Sequence, residues 1–155
     1  MKALVVIYAV VANLVLADAV TKEIAARSLK GSAAVSVIPG CFNLAYVENR
    51  GCAWGLFQGQ VWPLAAFGLV ALALLIWKRK SVFGSGKVAL LAECLLYAGI
   101  VGNVIDRIFR GYVIDFFDFY WGIRHFPCFN LADTFICVAA GLLILMSFFS
   151  RKKPT

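Results

Sequence analysis

A single histidine, His125, leaves this chain almost nothing from which to build a histidine-based metal centre or a Ser–His relay. Its five cysteines, Cys41, Cys52, Cys94, Cys128 and Cys137, contain no CxxC pair, which removes the usual zinc and dithiol signatures. The glycine-rich FGSGK at 83 to 87 lacks the first Gly and the closing Ser/Thr of a phosphate-binding loop. Acidic residues are scarce too, with eight Asp and Glu against fifteen Lys and Arg. With so few, the position of each carboxylate carries information.

Apolar surface is what the chain has in abundance. At 63% hydrophobic residues and a mean hydropathy of +0.88, it reads as a membrane protein. Charge-poor runs cover Ala3 to Ala17, Val61 to Trp77, Val88 to Ile105 (interrupted by Glu93) and Phe135 to Phe149. With their flanks, each approaches the ~20 residues that a helix needs to cross a ~30 Å hydrocarbon layer. The expected fold is therefore mainly α, a single integral-membrane domain over residues 1 to 155 with four transmembrane helices at about 3–20, 61–78, 88–106 and 131–149. The competing reading of the first run is a cleaved secretory signal, with Ala17-Asp18-Ala19 as the cleavage site, but Asp18 would then sit inside the motif.

The formal charge of +7 does not point to nucleic acid, because the cations gather at span ends instead of along a stripe. Lys2, then Lys78, Arg79, Lys80 and Lys87, then Arg151, Lys152 and Lys153 occupy three short segments free of Asp and Glu. The positive-inside rule makes these segments cytoplasmic, with both termini inside. The connections at about 19 to 60 and 106 to 130 then face out, and they hold most of the acids. Cys41, Cys52 and Cys128 lie on that side, where a disulfide is possible but not fixed by spacing; Cys94 and Cys137 fall in spans.

Within the first outer segment, Phe42, Leu44 and Tyr46 alternate with Asn43, Ala45 and Val47 after Pro39-Gly40, the pattern of a short strand. A small β cradle over about 36–57 is expected on the outer face, with Trp54, Trp62, Tyr120 and Trp121 suited to the interfacial aromatic belt.

Polar residues converge at the outer ends of the spans. Asp18 and Lys22 share a helix face at i,i+4, and Asn103, Asp106 and Arg107 do so at i,i+3 and i,i+4. Pairs of this kind commonly do no more than fix span ends. Asn130-Leu-Ala-Asp133 has capping-box spacing, with Asn130 as N-cap. Glu93, alone in mid-span, reads as bonded to another helix. Asp115 is different, because Val113-Ile114-Asp115-Phe116-Phe117 offers no local reason for a carboxylate. Two carboxyls held close share a proton, so that one activates water while the other polarises a carbonyl; Asp115 with Asp133 would meet that requirement without metal or cofactor. On the residues alone, an aspartic protease, a proton-coupled carrier and a non-catalytic scaffold stand level. A carrier predicts flux without peptide cleavage, and a scaffold predicts that neutralising the acids is silent.

Four stretches break the tie: DAVTK at 18 to 22, YVENRGCAWGLF at 46 to 57, GNVIDRIFRGYVIDFFDF at 102 to 119 and FNLAD at 129 to 133. In this order among four spans, the chain resembles the lipoprotein signal peptidase (signal peptidase II) family over essentially its whole length. The resemblance implies an intramembrane aspartic endopeptidase with Asp115 and Asp133 as the catalytic dyad. It further implies that Asp18, Lys22, Asn49, Gly51, Asn103, Asp106, Arg107 and Asn130 shape or support the site. The resemblance also implies that the first span is retained, that no metal or cofactor is involved, and that the partners are diacylglyceryl-modified prolipoproteins and membrane lipids, not nucleic acid. Cleavage is then expected on the amino side of the lipidated cysteine, at the outer face of the bacterial inner membrane, in a monomer. Departures from the pattern are Glu48, where a basic residue is commoner, and Cys52 and Trp54, in positions associated with Ala and Phe. Within the dyad, Asp133 at the positive end of the last helix is the expected carboxylate, and Asp115 in apolar surroundings the expected proton holder.

Overall fold

The computed structural model describes residues 2–150, so the charges at Arg151, Lys152 and Lys153 lie outside the described residues. Among the described residues the order is α1 (Lys2–Leu29), β1 (Val35–Ile38), β2 (Phe42–Asn49), a 3-10 turn (Ala53–Gly55), α2 (Val61–Trp77), α3 (Arg79–Phe83), α4 (Lys87–Arg110), β3 (Val113–Trp121), β4 (Arg124–His125) and α5 (Leu131–Ser150). Three helices, within Leu4–Leu29, Lys87–Arg110 and Leu131–Phe149, are long and apolar enough to cross a membrane. The fourth apolar helix, Val61–Trp77, has 17 residues. At 1.5 Å per residue it is roughly 25 Å long.

Helix α4 is the hub, packing against α1, α2 and α5. Its glycines permit this closeness. A Cβ at position 99 would stand 2.5 Å from the Ala132 carbonyl oxygen, and one at 102 would stand 2.6 Å from Asp18 Oδ2. Apolar side chains on the outer faces, such as Phe67, Trp77 and Phe148, remain exposed as lipid-facing positions should.

Helix α1 continues to Leu29, well past the apolar run that ends at Ala17. Its last turns bury Ala25 and Leu29 against Ile114 and Phe116 of the sheet, and this apolar contact supports the extra length.

The sheet is antiparallel with order β1-β2-β3-β4. Strand β3 does not announce itself in the sequence because it lies between two neighbours and buries residues on both faces from Val113 to Phe116. Between the pairs Leu44↔Phe117 and Val47↔Asp115, β2 carries one residue more than β3. Such a bulge reverses the face on which the following side chains stand. Asn49 therefore comes to the face of Asp115, which Glu48 would otherwise occupy.

Beyond β4, Phe129 runs beside β3, accepting from the Phe116 and Phe117 N–H groups at 3.0 and 2.9 Å and donating to the Phe117 carbonyl at 3.2 Å. This strap sets Asn130 next to β3 at the point where α5 begins.

Candidate active site

Asp115 is buried, 1% exposed, near the start of β3. Its Oδ1 accepts from Asn130 Nδ2 at 2.7 Å and its Oδ2 from Asn49 Nδ2 at 2.9 Å. Asp133 is half-buried in the first turn of α5. Its Oδ1 accepts from Asn103 Nδ2 at 2.7 Å, and its Oδ2 from the Asn130 backbone N–H at 3.3 Å. The Asn130 Oδ1 in turn accepts the Asp133 N–H at 2.9 Å. Together these reciprocal bonds form the capping box expected from the spacing, and Asn130 joins the two aspartates.

Burial first, and then the nearby Asp133 carboxylate, push the Asp115 carboxyl up to about 7 against the opposing hydrogen bonds from Asn49 and Asn130. Asp115 is thus the group suited to hold a proton near neutrality, in keeping with its apolar setting.

Around this pair, Lys22 is 1% exposed and its Nζ lies 2.8 Å from Asp18 Oδ2, 3.0 Å from Asp106 Oδ2 and 3.1 Å from Asn103 Oδ1. Asp18 Oδ1 accepts the Ala132 N–H at 2.9 Å, satisfying one of the free donors at the start of α5. Asp106 also receives Arg110 Nε at 3.1 Å and the Ile114 N–H at 3.4 Å.

Arg107 does not pair with its neighbour Asp106. Adjacent helix residues point to different sides. Its guanidinium instead donates to the Asn103 carbonyl at 3.3 Å and the Gly51 carbonyl at 3.0 Å, holding the loop after β2 against α4. Gly51 itself donates to Asn49 Oδ1 at 2.9 Å. A Cβ on Gly51 would lie 2.5 Å from the Leu56 carbonyl oxygen, so the turn closes only around a glycine.

All ten residues singled out in the sequence therefore belong to one connected cluster. Sequence reasoning left out Arg110, although Asp106 and Arg110 have i,i+4 spacing, and the two close-approach glycines, Gly99 and Gly102. It also left the third acid of the motif unexplained. Asp118, three residues from Asp115, stands on the opposite face of β3, where it bonds Asn43 Nδ2 at 3.0 Å and His125 Nδ1 at 2.6 Å. Glu93 is paired with Arg79 of α3, at the far end of α4. Cys41, Cys52 and Cys128, like Cys94 and Cys137, are free thiols. Cys128 is held un-ionised, its thiol pushed up to about 11 by burial and by the Asp118 and Asp115 carboxylates.

Two grooves open onto Asp133. One, of about 960 Å³, runs between α2 and α4 past Phe67, Leu96, Ile100 and Val104. The other, of about 400 Å³, is walled by Val113, Phe126, Pro127 and Val138. Asn103, Arg107 and Cys52 border both. The arrangement can therefore bring apolar ligands from two directions to Asp133, which is joined through the Asn130 side chain to the buried Asp115.

Residues 10–149 match the family model described as signal peptidase (SPase) II. The lipoprotein signal peptidase of Shewanella loihica is 40% identical over 153 residues, covering 95% of this chain and 88% of that protein. The lipoprotein signal peptidase of Haemophilus influenzae is 41% identical over 140 residues, covering 88% of this chain and 81% of the other. Among solved structures, a bacterial membrane enzyme determined by the in meso method at 2.3 Å superposes with a TM-score of 0.84 at 31% identity, covering 97% of this chain and 93% of that one.

Proposed function

The chain belongs to the signal peptidase II family, a membrane aspartic peptidase that removes signal peptides from prolipoproteins, and on that premise we propose that Asp115 and Asp133 are its catalytic dyad. The single observation that carries the assignment is Asn130, which donates to one carboxylate and caps the helix bearing the other.

In this reading the Asp133 carboxylate takes a proton from water as its oxygen attacks the scissile carbonyl, while protonated Asp115 donates to the carbonyl oxygen. As the tetrahedral diol collapses and the C–N bond breaks, the proton held by Asp133 passes to the leaving amine and a diol hydroxyl returns a proton to Asp115, restoring the resting pair. No metal or cofactor enters the sequence. Asn49, Asn103 and Asn130 supply the donors that keep both carboxyls oriented, and Arg107 with Gly51 holds the loop that borders the cavity.

The substrate proposed is a diacylglyceryl-modified prolipoprotein, cut on the amino side of its lipidated cysteine. Two apolar grooves meeting at Asp133 suit a ligand that brings a signal helix and acyl chains, both of which partition into lipid. The dyad would then lie near the outer interface of the bacterial inner membrane, with both termini cytoplasmic. That orientation rests on the Lys78, Arg79, Lys80 and Lys87 charges at the end of the helices opposite the site. The enzyme acts as a monomer in this account. A gel-shift assay with purified protein and a diacylated prolipoprotein tests the proposal: the wild type releases the signal peptide, and Asp115→Asn and Asp133→Asn do not. Cleavage by either variant at the wild-type rate would overturn it.

A further inference from the structure

Lys22 touches neither dyad carboxylate, yet it is fully enclosed and each of its three N–H donors has an acceptor: Asp18 Oδ2, Asp106 Oδ2 and Asn103 Oδ1. A lysine ammonium only donates, whereas an asparagine side chain has a donor end and an acceptor end. The contact at 3.1 Å therefore dictates which end of Asn103 points toward α1. Asn130 Nδ2, also a donor, approaches the same Asn103 Oδ1 at 3.2 Å. With its oxygen claimed from two sides, Asn103 is left with Nδ2 facing Asp133 Oδ1 at 2.7 Å. Turned over, the amide would set its NH2 against the ammonium and the Asn130 NH2, and its carbonyl oxygen against the Asp133 carboxylate.

We propose that Lys22 is a positioning residue of the cleavage reaction: acting through Asn103, it ensures that Asp133 meets a hydrogen-bond donor and not an acceptor. This inference rests on the dyad reading above and adds a direction to it, a one-way chain of donors running from Lys22 through Asn103 to the water-activating carboxylate. The surrounding charges make the chain permanent. Asp18 and Asp106 hold the ammonium, Arg110 balances the second carboxylate, and the room left by Gly102 lets Asp18 reach both Lys22 and the Ala132 N–H. The same cluster thereby anchors the helix turn that carries Asp133.

Removing Lys22 alone would strand a buried carboxylate. The test is therefore the charge-balanced pair Asp18→Asn/Lys22→Met, compared with Asp18→Asn alone, which keeps the Lys22–Asn103 bond. Cleavage of a diacylated prolipopeptide is followed across pH, with thermal unfolding in detergent as the fold control. The expected result is a fall in kcat on the order of 10²-fold relative to Asp18→Asn, as for a small misplacement of a catalytic group. KM should stay within about twofold, because Lys22 borders neither groove, and the pH dependence of kcat should move. Adding Asn103→Ala to the pair should cost little more, since both changes break one chain. An unchanged kcat and pH profile in a folded pair, or a full additional loss from Asn103→Ala, would overturn the proposal.

Should the pair fail to fold, Asn103→Asp provides the same decision. It keeps an oxygen for Lys22 and replaces the donor facing Asp133 by an acceptor, so kcat should fall; wild-type kcat would refute the chain. Failure of the dyad reading is separately visible, because then Asp115→Asn or Asp133→Asn would itself retain cleavage.

Discussion

Asn130 Nδ2 donates to Asp115 Oδ1 at 2.7 Å, across a contact that spans 15 residues of sequence and ties a strand to a helix start. Because the other end of this amide caps α5 at Asp133, one side chain fixes the relative position of both carboxyls. Asn130→Ala should cost about 1 kcal/mol of stability as a lost cap. Its effect on turnover should be much larger, roughly 10²-fold, because the reacting groups lose their mutual alignment. Thermal unfolding and kcat measured on the same preparation check the disproportion.

The pH dependence follows from Asp115. With its carboxyl pushed up to about 7, Asp115 is protonated below neutrality and ionises above it. Since the mechanism needs that proton, activity should decline on the alkaline side of about 7, with the limb belonging to the pair and not to one residue. Asn49 donates to the Asp115 carboxylate and so opposes the upward shift. Asn49→Ala should therefore move the alkaline limb to higher pH, which a pH–rate profile in detergent or nanodiscs measures directly.

Gly102→Ala adds a Cβ 2.6 Å from Asp18 Oδ2 and 3.3 Å from the Ala132 Cβ. Asp18 is pinned by Lys22 and the Ala132 N–H and has no free direction in which to yield. The expected penalty is about 1–3 kcal/mol from overpacking, with reduced kcat as α5 is displaced. Glycine to alanine normally favours a helix, so the sign of the stability change decides whether close approach governs this position.

Arg107→Lys keeps the charge but cannot reach both carbonyls with a planar fork. The loop after β2 should loosen at Gly51, seen as faster amide exchange over residues 50–58 and a several-fold rise in KM. An unchanged exchange rate would mean that the Arg107–Gly51 bond does not hold the loop.

Much of this molecule was legible before its structure. The apolar runs located the helices, the alternation from Phe42 located β2, and i,i+3 or i,i+4 spacing brought Asp18 to Lys22 and Asn130 to Asp133. What escaped depends on long-range geometry. Strand β3 is apolar on both faces near Asp115, so it has no period of two to reveal it. The bulge that turns Asn49 toward Asp115 is a register property, invisible until the strands are paired. Lys22 reading both Asp106 and Asn103, 81 positions away in the second case, requires α1 and α4 to pack at glycine distance. Asp118, three residues beyond Asp115, stands by strand alternation on the other face of β3 with His125. His125 itself, the lone histidine, serves that pairing and not the dyad.

In the proposed mechanism two carboxyls hold one proton between them, with Asp115 as its main carrier. Infrared difference spectra of the unliganded enzyme, titrated through pH 5 to 9 in wild type and in each Asn variant, test it most directly. The mechanism predicts a protonated-carboxyl band that disappears around pH 7, persists in Asp133→Asn at acidic pH and is absent in Asp115→Asn. A band that survives in Asp115→Asn and vanishes in Asp133→Asn would contradict it.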